Sequence, residues 1–149
     1  MIIYIASDHG GFDLKTELVP HLKSSGHEVI DMGPLELQPE DDYPDYIVPA
    51  INKIKENLSS EVRGILLCRN GVGVSMLANK YIGIRCALSW TEDHAKTTRT
   101  DDDTNVLALP ADYINTKQAQ QITDTWLNTP FSGEERHIRR LSKFSTIGE

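Results

Sequence analysis

Short, unbroken apolar runs alternate with helix-periodic stretches along this chain, and that alternation limits the fold more than any single motif. Ile2-Ile-Tyr-Ile-Ala6, His27-Glu28-Val29-Ile30-Asp31, Gly64-Ile-Leu-Leu-Cys68, Ile84-Arg85-Cys86-Ala87-Leu88-Ser89 and Asn105-Val106-Leu107-Ala108-Leu109 have strand length. Runs that are apolar on both faces belong in a sheet covered on both sides, which points to parallel strands. From Phe12 to Lys23, Leu14, Leu18 and Leu22 recur at helical spacing, and Tyr43 to Asn57, Ser75 to Lys80 and Glu92 to Arg99 continue that pattern. Thr116 to Asn128 and Glu134 to Phe144 add two helices at the end. Pro20 and Pro49 predict a kink or a break in the first two. Gly33 to Asp42, with two prolines and several acids, reads as an exposed loop. The expectation is an α/β domain, doubly wound in the flavodoxin or Rossmann manner, with a five-stranded parallel sheet and a C-terminal helix. The 149 residues suit one domain, 1–149, and are too few for two.

Composition removes several classes of function. A formal net charge of -7 argues against nucleic acid or an anionic membrane as the main partner. Two cysteines form no disulfide framework, and no Cys-x-x-Cys or Cys/His cluster suggests a metal, so neither metal nor cofactor is expected. The first strand begins at Ile2 and no apolar run reaches membrane-spanning length, so a soluble cytoplasmic protein is expected.

In a doubly wound sheet, ligands bind beyond the carboxyl ends of the strands. Cys68 ends the third strand and opens into Arg69-Asn70-Gly71-Val72-Gly73-Val74-Ser75, which sets a thiol beside several backbone N–H groups. A helix starting near Ser75 would point its positive end into the same space. Such a setting can lower a thiol pKa and hold an oxyanion; the plainer alternative is an inert buried cysteine. Asp8 and His9 follow the first strand. The first and third strands should both be central, so these residues and Cys68 are expected to face one crevice. A turn-capping Asp8 and a solvated His9 are the plainer readings. Arg136 and Arg140 share a helix face and can converge on one phosphate, unless they merely pair with Glu134 and Glu135 on the surface. Asp101-Asp102-Asp103 is either a solvated turn or a crowd of carboxylates in which one is raised enough to act as an acid. Nothing else in the sequence supports metal binding there. Cys86 reads as core, and Ile122 and Trp126 as core or subunit interface.

These residues also match a family. Ala6-Ser-Asp-His-Gly-Gly-Phe12, Glu28-Val-Ile-Asp-Met-Gly33, Asp42-Tyr-Pro-Asp-Tyr46, Gly64 to Ser75, Ala78-Asn-Lys80, Gly83-Ile-Arg85, Asp103-Thr-Asn-Val-Leu107 and Arg136-His137 carry the resemblance, nearly end to end. The chain resembles ribose-5-phosphate isomerase B and the galactose-6-phosphate isomerase subunits. The resemblance implies a homodimer with active sites shared between subunits, further pairing into tetramers being open. It implies metal-free interconversion of an aldose and a ketose phosphate, with ribose 5-phosphate and ribulose 5-phosphate as the default pair. Cys68 would move the proton through a cis-enediolate, and backbone N–H groups of Asn70, Gly71, Val72 and Gly73 would stabilise the enediolate oxygen. His9, Arg136 and Arg140 would hold the phosphate, Asp8 would bind sugar hydroxyls, and Tyr43 would pack on the substrate. Three departures stand out. Arg69-Asn70 replaces a usual Gly-Thr, with Asn70 still able to donate a hydrogen bond where threonine did; Asp101 and Asp102 replace a His-Asn pair whose histidine is associated with opening the sugar ring; and Asp112 replaces an arginine found in some members. The Asp101 replacement motivates an alternative, a non-catalytic sugar-phosphate-binding paralogue. A phosphocysteine loop, as in sugar phosphotransferase components, ranks lower because there the cysteine follows the first strand.

Overall fold

A computed structural model describes residues 1–147; Gly148 and Glu149, counted in the expected domain, lie outside the described residues. The elements run β1 (Ile2–Ser7), α1 (Phe12–Ser24), β2 (Glu28–Asp31), α2 (Pro44–Glu56), β3 (Val62–Cys68), α3 (Val72–Ala78), β4 (Cys86–Leu88), α4 (Glu92–Thr100), β5 (Val106–Pro110), α5 (Thr116–Asn128) and α6 (Glu135–Ser142), closed by a 3-10 turn, Lys143–Thr146. The five strands are all parallel, in the order β2-β1-β3-β5-β4. The doubly wound α/β expectation holds, with β1 and β3 inside the sheet. The last two strands are exchanged relative to the flavodoxin order 2-1-3-4-5. Burial explains the exchange: every residue of β5 is buried, whereas the three residues of β4 are half-buried and suit an edge.

Side chains alternate across the sheet and divide the core into two layers. On one face Ile3, Ile5, Ile65, Leu67, Leu107 and Leu109 pack with Leu14, Leu18 and Leu22 of α1 and Ile122 and Trp126 of α5. On the other, Ala6, Leu66, Val106 and Ala108 meet Ile47, Ile51 and Ile54 of α2 and Val74 and Ala78 of α3, with Cys68 in the same cluster. Each buried Leu or Ile contributes about 1.5–3 kcal/mol, so the two layers hold the strand ends firmly. Trp126 is core, and its Nε1 donates to Thr104 Oγ1 at 2.8 Å. Cys86 packs against the second layer, and burial pushes its thiol well above the ordinary range.

Neither proline breaks its helix: α1 continues through Pro20 and α2 through Pro49. Both lie on the solvent face, while buried leucines and isoleucines on the opposite face carry the helix past the missing hydrogen bond. Among the described residues, no helix is long and apolar enough to cross a membrane.

Candidate active site

Cys68 is buried at the carboxyl end of β3, and the chain turns sharply behind it. Gly71 makes that turn at φ +72°, a conformation that L side chains rarely adopt. Its N–H donates to Cys68 Sγ at 3.2 Å, and Asn70 Oδ1 lies 3.8 Å from the same sulfur. Asn70 Oδ1 also accepts from Val72 N–H at 3.0 Å. The helix therefore begins at Val72, three residues before the expected Ser75, with Gly71 at its N-cap and the Val72 N–H held by Asn70. Of the loop amides expected to face an oxyanion, those of Gly71 and Val72 are already engaged. Gly73 N–H lies in the first turn of α3, where no intrahelical acceptor exists.

The β1 exit lies against this loop. A Cβ on Gly11 would come within 2.9 Å of three Leu67 atoms, two of them backbone, so only glycine lets the turn approach β3 this closely. Asp8 is buried, and its Oδ1 accepts from Gly11 N–H at 3.1 Å, so it closes the turn as the plainer reading supposed. His9 is held by a residue that sequence reasoning missed. Asp41 Oδ1 accepts from His9 N–H at 2.9 Å and lies 2.7 Å from His9 Nδ1. A carboxylate only accepts, so Nδ1 carries the proton and Nε2 is left for a ligand. Tyr43 lies across the cysteine loop: a Cβ on Gly73 would fall 2.9 Å from Tyr43 Cζ and 3.1 Å from its Oη. Beside it, burial and the Asp41 carboxylate push the Tyr46 phenol above its ordinary range. One end of the sheet thus brings together Asp8, His9, Tyr43, Cys68 and the loop Asn70, Gly71, Val72 and Gly73.

The remaining predicted site residues lie at the other, amino end of the sheet. Gly64 pairs with Val106 and Cys68 with Pro110, so the segment before Val106 sits four registers from Cys68, roughly 13 Å along the strand. Asp101 and Asp102 are exposed there. Asp101 Oδ1 accepts from Thr100 Oγ1 at 2.7 Å and lies 3.7 Å from Nδ1 of the buried His137. Asp103, at φ 45°, is clamped by Arg85 and Arg99 at 2.8 Å each and belongs to the framework. Arg136 and Arg140 are exposed on α6, which packs at this amino end through His137 and Thr100. Arg136 Nε pairs with Glu134 at 2.8 Å, as the surface reading expected. The expected site residues of a single chain therefore fall into two groups at opposite ends of its sheet. Among the described residues, no group of three or more His, Cys, Asp or Glu side chains is placed to hold a metal.

A family model described as ribose/galactose isomerase matches residues 3–144. The Mycobacterium leprae ribose-5-phosphate isomerase B is 33% identical over 141 residues, 95% of this chain and 86% of that protein. The Thermotoga maritima ribose 5-phosphate isomerase structure superposes with a TM-score of 0.91 at 41% identity, covering 98% of each chain. The Mycoplasma genitalium ribose-5-phosphate isomerase B structure, with bound ribulose-5-phosphate, gives 0.93 at 39% identity over 97% of this chain and 94% of that one.

Proposed function

The chain belongs to the ribose/galactose isomerase family, and on that premise we propose that it interconverts ribose 5-phosphate and ribulose 5-phosphate through Cys68. The observation that carries this reading is the Cys68 sulfur, seated at the end of β3 with Gly71 N–H on it and Asp8, His9 and Tyr43 around its loop. In the forward direction the Cys68 thiolate takes the proton from C2 of the open-chain aldose. The C–H electron pair becomes the C1–C2 double bond, and the carbonyl oxygen becomes the enediolate oxyanion. The same thiol then returns the proton to C1, while the O2 hydroxyl proton passes to O1, and the ketose results. Gly71 N–H stabilises the thiolate, and Gly73 N–H, in the first turn of α3 without an intrahelical acceptor, is the donor assigned to the oxyanion. Asp8 meets sugar hydroxyls, Tyr43 packs on the substrate, and His9 Nε2 faces the phosphate.

The same reading requires a second copy. Phosphate contacts from Arg136 and Arg140, and ring opening by Asp101 with Asp102 nearby, come from the amino end, which cannot reach Cys68 of its own chain. A homodimer with shared sites joins one chain's carboxyl-end half to the other's amino-end half. The character of α6 supports this: of its eight residues only His137 is buried. Ile82, Ile138, Phe144 and Ile147 are exposed apolar residues on or near the same end. One observation favours a second reading, a sugar-phosphate-binding paralogue without turnover. Asp101 stands at the ring-opening position, and a carboxylate works there only if it gains a proton.

Kinetics of Cys68→Ala test the assignment. Turnover is expected to fall by about 10²–10⁴-fold with sugar-phosphate affinity retained. Turnover near wild type would remove Cys68 from the chemistry.

A further inference from the structure

We propose that Arg69 is a substrate-binding residue: its guanidinium holds the phosphate of the sugar from the Cys68 side. This inference rests on the sugar-phosphate reading above. Five loops leave the carboxyl ends of the strands, residues 8–11, 32–43, 69–71, 89–91 and 111–115. Arg69 is their sole Lys or Arg, against Asp8, Glu36, Glu40, Asp41, Asp42 and Asp112. Lys15, near the same turn in sequence, is buried and committed to Asp31 and the Pro34 carbonyl. His9 is tied through Nδ1 to Asp41. A dianionic phosphate entering this acidic rim meets one permanent positive charge.

Placement agrees with charge. Arg69 follows Cys68 directly, and its stem lies over Gly10, where a Cβ would collide with Arg69 Cγ. The side chain thus hangs above the turn that carries Asp8 and His9. Its Nη1 rests 3.6 Å from Asp112 Oδ2, with the two side chains 63% and 48% exposed. A pair this long and this wet is weak. Asp112 stays within reach because its N–H donates to the Arg69 carbonyl at 2.9 Å. Asp112 therefore parks the guanidinium loosely, and a phosphate that offers two charge-assisted hydrogen bonds outcompetes it. Glycine at position 69 would leave this rim without a permanent cation, and the aspartate at position 112 would then only repel the substrate.

The test compares wild type with Arg69→Gln and Arg69→Lys, reading KM and kcat for ribose 5-phosphate and Kd for inorganic phosphate by calorimetry. Arg69→Gln is expected to raise KM and the phosphate Kd about tenfold while kcat changes less than about twofold. Arg69→Lys, which keeps the charge and loses the fork, is expected to recover part of that loss. Unchanged KM and phosphate Kd in a folded Arg69→Gln protein would overturn the proposal and leave Arg69 a surface partner of Asp112. The two readings separate cleanly. A wild type that binds phosphate through Arg69 but converts no sugar phosphate sinks the isomerase reading alone. Turnover that is indifferent to Arg69 sinks this one alone.

Discussion

Asp41 accepts from both the backbone and the ring of His9, so the imidazole is fixed in orientation and in the nitrogen it presents. Asp41→Asn keeps an acceptor oxygen but loses the charge that holds Nδ1–H. Steady-state kinetics should show KM for the sugar phosphate rising by about tenfold, with kcat less affected. An unchanged KM would mean that His9 does not depend on that anchor. The placement of Asp8, His9 and Cys68 at one end of the sheet was legible in the sequence because Asp8 and His9 follow one apolar run and Cys68 ends another. Asp41 was not. It lies 32 residues from His9, inside a loop whose acids look uniformly solvated. The direction of Arg69 was equally hidden, since it depends on the bare surface of Gly10 and on a turn after β5.

Lys15 shows how one helix is tied to the sheet. Its Nζ is buried and lies 2.6 Å from both Asp31 oxygens and 2.8 Å from the Pro34 carbonyl, which joins α1 to the end of β2 and the following loop. Asp31 also accepts from Gly33 N–H at 2.9 Å. Denaturant unfolding of Asp31→Ala should show a loss of about 3 kcal/mol, because it strands a buried ammonium. Lys15→Met should lose less, since it removes the charge that needs a partner; equal losses would contradict that explanation. Periodicity placed Lys15 in the right helix but gave no sign of its burial, because a lysine at that spacing usually faces water. Strand and helix existence followed from the apolar pattern, whereas boundaries depended on local chemistry. β3 starts at Val62 rather than Gly64, β4 shrinks from Ile84–Ser89 to Cys86–Leu88, and α6 ends at Ser142 before a 3-10 turn rather than at Phe144. The exchange of β4 and β5 was invisible because both runs are apolar, and only burial distinguishes the edge strand.

At the scale of the molecule, the parallel sheet itself separates the two groups of proposed site residues, since Asp101 and Asp102 precede β5 while Cys68 ends β3. The sequence placed both groups at ends of the sheet without showing that the ends differ, and the family resemblance supplied the idea of shared sites. Mixing two inactive proteins tests it. Cys68→Ala carries a sound amino-end half, and Arg136→Ala/Arg140→Ala carries a sound carboxyl-end half. Subunit exchange at equal concentration should restore about a quarter of wild-type activity, because half the dimers are mixed and each has one intact site. A mixture that stays inactive after exchange would place the whole site within one chain. The central claim, proton transfer between adjacent sugar carbons, is tested most directly by NMR of the wild-type protein with ribose 5-phosphate in deuterium oxide. Conversion to ribulose 5-phosphate with deuterium appearing at C1 of the ketose is the expected result. Ribose 5-phosphate that binds yet is neither converted nor exchanged would contradict it and leave a sugar-phosphate-binding protein with Asp101 at the blocked step.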